Sequence, residues 1–392
     1  MSTAAALDDA SPEDAPYSLR ELVLYFLHLG TTGFGGPIAL VGYMQRDLVE
    51  RRRWIPLKDY KEGLALAQLA PGPLAAQLAI YLGWLDHGFL GATLVAVAFV
   101  LPSFVMVMVL SAAYLAYGGI GWMQGAFYGI GAAVIAIIAR SAYKLTKSTL
   151  GDDRLLWVLF ALSAVTTAWT ESELIWLFVL CGVAALVAKG RWRSAPTLVL
   201  IPWPWLVTGL HGPASDSTLW RIATCFTEAG AFVFGSGLAI VPFLHGAVVN
   251  DLQWLNERQF LDAVAVAMIT PGPVVITVAF IGYLVAGPLG ATVAAVAVFL
   301  PCYLLVVIPA RYFRRSVHDP RVKAFVDGVT AAAAGAIAGA AFVLGRRAII
   351  DLPTALIALA TLGVLVRVKG VSEPVVILAA GAIGIVASLV SS

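Results

Sequence analysis

The chain has 392 residues, a formal net charge of +2 and a mean hydropathy of +0.89; 60% of its residues are hydrophobic and 12% are charged. Soluble domains carry about 25% charged residues and could not bury this much apolar surface. The composition therefore excludes a soluble globular protein, and the near-neutral charge gives no reason to expect a nucleic-acid partner.

The chain opens with an acidic, proline-containing stretch, residues 1–17, which is predicted to be a disordered tail. Beyond it, uncharged runs such as Gly88–Tyr117 and Leu284–Ala310 are long enough to cross about 30 Å of hydrocarbon as helices. Alternating strand patterns are absent, which predicts an all-α polytopic membrane protein. The three cysteines are scattered in apolar segments, so neither a metal site nor a cofactor is expected.

An internal duplication divides the chain into two repeats. One shift of 200 residues aligns three features in register: Phe34-Gly35 with Phe234-Gly235, Trp54 with Trp254, and Pro71-Gly72-Pro73 with Pro271-Gly272-Pro273. After one deletion the shift becomes 199 and pairs Leu101-Pro102 with Leu300-Pro301. The predicted organisation is the tail, an N-terminal repeat at 18–193, an interfacial linker at 194–219 that contains Ile201–Trp205, and a C-terminal repeat at 220–392.

Basic residues indicate that the two repeats have opposite orientations in the membrane, since loops rich in Lys and Arg favour the cytoplasm. Arg51–Arg53 is basic and its counterpart Asp251–Gln253 is not, whereas Arg346-Arg347 is an exception to this arrangement. Each repeat is predicted to hold five transmembrane helices and one re-entrant hairpin broken at Pro-Gly-Pro. The predicted spans are 20–48, 89–116, 122–143, 155–169 and 172–188, then 220–248, 286–310, 323–344, 353–367 and 371–390; the hairpins are 63–85 and 263–284.

The Pro-Gly-Pro breaks are the first candidate site. Proline removes a backbone donor, and unpaired backbone groups at membrane depth are tolerated only inside the protein or beside water. A half-helix that begins after each break would point its positive end at an anion. A kink needed only for helix packing is the alternative. The candidate substrate-binding residues are Gln68, Pro71, Gly72, Pro73 and Gln77, and Thr270, Pro271, Gly272, Pro273 and Thr277.

The glycine-rich stretches Phe34–Pro37 and Phe234–Gly237 are the second candidate, because glycine lets a backbone approach a ligand closely. Small residues at a helix crossing are the alternative interpretation. The candidate binding residues here are Gly35, Gly36, Gly235 and Ser236.

His28 and Glu228 occupy equivalent positions and are the candidate proton relay, because ionisable residues within spans are costly. The alternative is a residue at a helix end that reaches the interface. The paired segments after each first span, starting at Trp54 and Trp254, are interpreted as interfacial lead-in helices. Within them Arg258 and Asp262 stand four apart, like Lys58 and Glu62, a spacing that permits an ion pair.

Together, the Phe-Gly-Gly-Pro stretch, Trp54 and Leu69–Pro73, repeated in the second half, resemble the signature of the chromate ion transporter family in its long, two-domain form. The resemblance implies efflux of chromate across the bacterial inner membrane, with proton coupling and with sulfate as the structural mimic. The expected partners are a chromate or sulfate dianion, protons, the lipid bilayer and a second copy of the chain in a homodimer.

The function expected from these observations is secondary transport, with one repeat rocking against the other. An oxyanion-selective channel and a sulfate-type uptake carrier remain alternatives. An enzyme is not expected, since the chain has no HExxH or GxSxG motif, and no GxxxxGK[ST] motif for ATP hydrolysis.

Overall fold

The computed structural model describes residues 17–34, 36–117, 121–170, 175–189, 218–232, 237, 240–313, 320–368, 371 and 373–391. The predicted tail up to residue 16 and most of the predicted linker, with Ile201–Trp205, lie outside the described residues, as do Gly35, Gly235 and Ser236. The described residues form helices, turns and connecting segments and include no strand, which confirms the predicted all-α class.

The first repeat consists of α1 (Leu19–Thr32), α2 (Gly36–Met44), α3 (Leu57–Leu69), α4 (Leu74–Tyr117), α5 (Gly121–Leu150), α6 (Arg154–Thr170) and α7 (Ile175–Lys189). The second consists of α8 (Thr218–Phe232), α9 (Ile240–His245), α10 (Glu257–Ile269), α11 (Thr277–Phe313), α12 (Pro320–Ala348), α13 (Leu352–Arg367) and α14 (Glu373–Ser391). A π-helical segment extends α2 at Gln45–Arg51 and α9 at Gly246–Asp251, and a 3₁₀ turn, Val274–Ile276, precedes α11.

Local geometry confirms the duplication residue by residue. Arg53 and Gln253, 200 positions apart, have positive φ angles of 53° and 51° and end the two π-helical segments in the same tight turn. The next residues, Trp54 and Trp254, donate their backbone N–H groups to the carbonyls of Leu48 and Val248 at 2.8 Å. The two repeats therefore share backbone conformation as well as sequence.

Helices α4 and α11 are each bent into two arms. Non-helical backbone at Gly88 divides α4 into a short arm (74–87) and a long arm (89–117), and Ala286 and Gly287 divide α11 into a short arm (277–285) and a long arm (288–313). By length and composition, four of the described helical segments could cross a membrane: Leu74–Tyr117, Met123–Lys147, Val274–Ala310 and Ala324–Ala348.

The single span predicted over 20–48 is wrong. Helix α1 ends at Thr32, and α2 returns along it, so that the Tyr25 hydroxyl lies 3.4 Å from the Tyr43 carbonyl oxygen that it donates to. The break has a local cause, since Gly36 has a φ of 76° and Pro37 supplies no N–H for a continued helical ladder. The span predicted over 220–248 is likewise divided between α8 and α9.

The chain also folds back at Pro71-Gly72-Pro73. A Cβ atom on Gly63 of α3 would lie 2.2 Å from the Tyr81 ring of the short arm of α4, so the two segments run side by side on either side of the break. The predicted lead-in helix is the first part of this hairpin, because α3 begins at Leu57.

The two long arms pack antiparallel. Thr93, near the start of the α4 long arm, lies 2.8 Å from the hydroxyl of Tyr303, which is far along the α11 long arm. Each long arm also enters the core of the other repeat: Val306, Val307 and Ala310 pack among first-repeat residues, and Val107 packs among second-repeat residues. The repeats are therefore interlocked rather than juxtaposed.

The long arm of α4 connects two separate ends of the molecule. At its start, the first-repeat end, Tyr17 stacks on Trp54 at 5.1 Å and donates to Asp86. At its other end, the second-repeat end, the Tyr114 hydroxyl donates to Asp262 at 2.8 Å. The arm is roughly 43 Å long at 1.5 Å per residue, which separates the two ends by about the thickness of a bilayer.

Candidate substrate site

The two Pro-Gly-Pro turns lie at the centre of the molecule, each against the opposite repeat. The Gly272 N–H donates to the Gly33 carbonyl at 3.0 Å, and the Ser103 hydroxyl donates to the Pro271 carbonyl at 2.6 Å. In the reciprocal contact, a Cβ atom on Gly72 would lie 2.9 Å from the sulfur of Cys302. Ser103 and Cys302 are equivalent residues at the 199-residue shift, so the two contacts are related by the pseudo-symmetry.

The glycine-rich stretches reach the same centre. A Cβ atom on Gly237 would lie 3.7 Å from Val274, in the turn after the second Pro-Gly-Pro, and 3.9 Å from Pro37 at the start of α2. The structure thus brings Gly36 and Pro37 from the first repeat close to Gly237 and the Pro271–Pro273 turn from the second. Gly36 itself is half-buried and has an unobstructed Cβ direction.

Each half-helix begins in this region, directly after its Pro-Gly-Pro turn. In the α4 short arm, the Gln77 N–H donates to the Pro73 carbonyl and forms the first hydrogen bond of that helix. In the second repeat, the Ile276 N–H donates to the Pro273 carbonyl. The N–H groups that precede them in the first turn have no acceptor within their own helix. Their positive ends can bind an anion without a basic side chain.

Glycine is required at both turns. Gly72 and Gly272 have φ angles of 134° and 95°, which L side chains rarely adopt. The neighbouring space is also filled, because a Cβ on Gly272 would lie 2.1 Å from the Ser103 hydroxyl oxygen. The flanking residues Pro73, Pro271 and Pro273 are buried, and Pro71 is half-buried.

The predicted polar neighbours of the turns differ in their placement. Gln77 is fully buried and donates its side-chain amide to the Pro71 carbonyl, while its Oε1 has no hydrogen-bond partner among the described residues. Gln68 is exposed. Thr270 and Thr277 are buried, but their hydroxyls donate to Ala267 and Val274 of their own segments at 3.0 and 2.7 Å.

The predicted proton-relay residues lie on helices that lead to the centre. His28 is exposed on α1, whereas Gly30 on the same helix packs against Phe99. Glu228 is half-buried on α8, two residues before Gly230, which packs against Val298.

The spacing of Arg258 and Asp262 permits an ion pair, but the two side chains bind other partners. The Arg258 guanidinium donates to the Gln124 carbonyl at 3.0 Å, and Asp262 accepts from Tyr114 instead. The spacing along one helix could not predict that Gln124 of α5 would bind Arg258 and that Tyr114 of α4 would bind Asp262. Sequence reasoning also missed Ser103 and Cys302, although a small polar residue directly after Leu-Pro in both repeats was a usable signal.

Interlocked repeats with broken helices that meet at the centre are features of secondary transporters, so the fold and the site define a polytopic membrane transporter. The family model described as "Chromate transporter" matches twice, over residues 20–186 and 220–385. The chain belongs to this family and is a multi-pass protein of the bacterial inner membrane.

Named relatives extend over nearly the whole chain. A "Chromate transport protein" of Cupriavidus metallidurans is 58% identical over 380 residues, which cover 95% of this chain and 94% of the relative. A "Probable chromate transport protein" of Synechococcus elongatus is 57% identical, covering 94% and 96%. A "Chromate transport protein" of Pseudomonas aeruginosa is 32% identical, covering 84% and 82%. These names agree with a transport protein rather than an enzyme. No solved structure matches the chain.

Proposed function

We propose that this protein is a secondary carrier that exports chromate from the cytoplasm, driven by the proton gradient, and that sulfate competes for its site. The similarity to relatives named as chromate transport proteins, with identity of 58% over almost the full length, carries the choice of substrate. Chromate and sulfate are both tetrahedral dianions, so a site made of backbone N–H groups would accept both.

The dianion would lie between the two Pro-Gly-Pro turns. Donors would come from the first-turn N–H groups after Pro73 and Pro273 and from the glycine-rich stretches that contain Gly35, Gly36, Gly235 and Ser236. The contact of the second turn with Gly33, and of Gly237 with Pro37 and Val274, supports this proposal. The Gly272 N–H, by contrast, is used within the protein and would be released only if the repeats move apart.

Opposite membrane orientation of the two repeats would permit alternating access by rocking. The antiparallel long arms support it, because equivalent helices would run parallel if the repeats had the same orientation. Arg346-Arg347, the exception to the pattern of basic residues, is also weaker evidence against opposite orientations. Arg347 pairs with Glu257 at the second-repeat end, so its charge is compensated and gives a weaker orientation signal.

The coupling would require a group that binds a proton in one state and releases it in another. Of the predicted pair, Glu228 is half-buried on α8 and lies nearer the protein interior, so it remains the candidate proton-binding group. His28 would exchange protons with water from its exposed position.

Chromate flux into proteoliposomes tests the proposal. The purified protein should accumulate radiolabelled chromate when a pH gradient is imposed, with saturating kinetics and with inhibition by excess sulfate. Protein-free liposomes and Pro271→Ala protein are the controls. Absence of chromate flux in folded wild-type protein would contradict the substrate assignment, and non-saturating flux that ignores the pH gradient would indicate a channel.

A further inference from the structure

Asp262 is a buried carboxylate close to the second-repeat end. Asp262 is only 3% exposed, and it lies five positions after Glu257, where α10 begins. At 1.5 Å per residue it is about 7 Å further inside than the start of that helix. The same helix continues from Asp262 to Thr270 and the Pro271–Pro273 turn, so the carboxylate lies between the protein surface and the candidate substrate site.

The described residues give Asp262 a neutral partner rather than a cation. The Tyr114 hydroxyl donates to its Oδ2 at 2.8 Å, and the tyrosine ring is held edge-on by Phe127 and Phe280. Arg258, one turn earlier on α10, is exposed and donates to the Gln124 carbonyl of α5. Tyr114 and Arg258 are the titratable or charged groups that interact with Asp262.

A buried carboxylate without an ion-pair partner is costly in its charged form, so a proton is the simplest counter-charge. Three other ionisable groups at this end form a cluster of their own. His245 lies 2.8 Å from Glu257, and Arg347 contacts both of them. Asp262 is therefore a carboxylate separate from this cluster.

The pair also crosses between the repeats. Tyr114 belongs to the long arm of α4 in the first repeat, and Asp262 belongs to the hairpin of the second. A hydroxyl donates more strongly to a carboxylate than to a carboxylic acid, so protonation of Asp262 would weaken one bond that holds the repeats together. Proton binding at this position can thus change the relative stability of two arrangements of the repeats.

The sequence restricts this device to one repeat. Glu62 is the counterpart of Asp262 at the 200-residue shift, but the counterpart of Tyr114 at the 199-residue shift is Phe313, which has no hydroxyl. The hydroxyl that bonds Asp262 in the second repeat is therefore absent from the equivalent position of the first.

We propose that Asp262 is a further proton-binding residue, beside the candidate Glu228, that couples this carrier to the pH gradient, with Tyr114 as its positioning residue. The assignment rests on the proposed function, since it presupposes proton-coupled chromate transport. The Asp262 carboxylate takes one proton from water on the side of the second-repeat end and becomes a carboxylic acid. It returns that proton to water after the repeats have moved, and no other bond is made or broken.

Two flux assays on the same proteoliposomes test this assignment. One measures net chromate uptake driven by an imposed pH gradient, and the other measures exchange of external labelled chromate for internal unlabelled chromate without a gradient. Asp262→Asn should lower gradient-driven uptake at least tenfold while exchange stays within about twofold of wild type and loses its pH dependence. Asp262→Glu should restore gradient-driven uptake.

Tyr114→Phe and Glu62→Gln are the matched variants. Tyr114→Phe removes a bond that favours the carboxylate, so the pH midpoint of gradient-driven uptake should rise by roughly half to one unit. Glu62→Gln should keep gradient-driven uptake and its pH midpoint, because the counterpart of Tyr114 in that repeat is Phe313, which has no hydroxyl.

The outcomes separate this assignment from the proposed function. Wild-type protein without chromate flux would overturn both, and wild-type flux without a gradient response would overturn the coupling. Gradient-driven uptake by Asp262→Asn at the wild-type rate and pH midpoint would overturn the assignment alone. The assignment would also be overturned if Asp262→Asn and Asp262→Glu proteins both lost gradient-driven uptake and exchange. An equal loss of gradient-driven uptake in Glu62→Gln would overturn it as well.

Discussion

Ser103 and Cys302 occupy equivalent positions, yet only the serine makes a strong hydrogen bond to the turn of the opposite repeat. The Ser103 hydroxyl donates to the Pro271 carbonyl, whereas the Cys302 thiol donates to Val298 at 3.2 Å, within its own helix. A thiol is a weak donor, and the Pro71 carbonyl of the first turn instead accepts from the Gln77 amide. At the residue scale, the second turn is therefore held by a side chain of the opposite repeat and the first turn by a side chain of its own repeat.

Replacement of Ser103 by alanine should destabilise the protein by about 1–3 kcal/mol, because the buried Pro271 carbonyl loses its donor. We expect chromate flux to fall several-fold, since the carbonyl anchors a turn of the candidate site. Ser111→Ala is the matched control. Ser111 is also fully buried on α4, but its hydroxyl donates to Val107 of the same helix at 2.7 Å and crosses no interface. Thermal unfolding in detergent and flux in proteoliposomes measure both effects, and equal losses in the two variants would contradict the role given to Ser103.

At the element scale, the broken helices depend on proline and glycine at the turns. Pro271→Ala is expected to abolish chromate flux while folded protein still reaches the membrane, because alanine permits the helical hydrogen bonds that proline prevents. Pro288→Ala is the control, since Pro288 is exposed in the bend of α11 and its counterpart at the 199-residue shift is Phe89. Flux assays, normalised to the amount of protein inserted in the membrane, measure this effect. Wild-type flux in Pro271→Ala would show that the turn is not part of the substrate site.

The packing of α1 on the long arm of α4 depends on a glycine as well. A Cβ on Gly30 would lie 2.4 Å from the Phe99 carbonyl oxygen, whereas a Cβ on Gly42 meets nothing within 4 Å. We expect Gly30→Val to push the helices apart and to lower the yield of folded, monodisperse protein strongly, with Gly42→Val close to wild type. Size-exclusion profiles after detergent extraction measure this, and a normal profile for Gly30→Val would show that the close approach is dispensable.

The elements were predictable to the extent that local residue chemistry decides them. The Pro-Gly-Pro breaks follow from backbone sterics, and the uncharged runs Gly88–Tyr117 and Leu284–Ala310 mark the long arms. The break between α1 and α2 was missed because Gly33–Pro37 lies in an apolar run that could have formed one span. The bonds from Ser103 to Pro271 and from Tyr114 to Asp262 join residues 168 and 148 positions apart, so only the tertiary fold defines them.

At the scale of the whole molecule, the two ends differ in charge. The first-repeat end carries Arg51–Arg53, and Arg52 lies over the Trp54 ring at 4.5 Å. The second-repeat end carries Asp251 in place of the first arginine, and its Arg347 is paired with Glu257. Because the roughly 43 Å long arm of α4 separates these ends, the charge difference lies along the direction in which the long arms run.

Topology labelling tests whether this direction is the membrane normal. Single cysteines at Arg53 and Asp251, both exposed, are placed in a background whose three buried native cysteines are replaced. In inside-out and right-side-out vesicles, an impermeant maleimide should label the two positions from opposite sides of the membrane. Arg53→Cys should be labelled from the cytoplasmic side, because positive residues favour the cytoplasm. Lys147→Cys provides an independent reference, as this residue lies in the last turn of α5 and is exposed. Labelling of both test positions from the same side would mean that the antiparallel arms lie across the membrane normal, and rocking of opposed repeats would no longer describe the transport cycle.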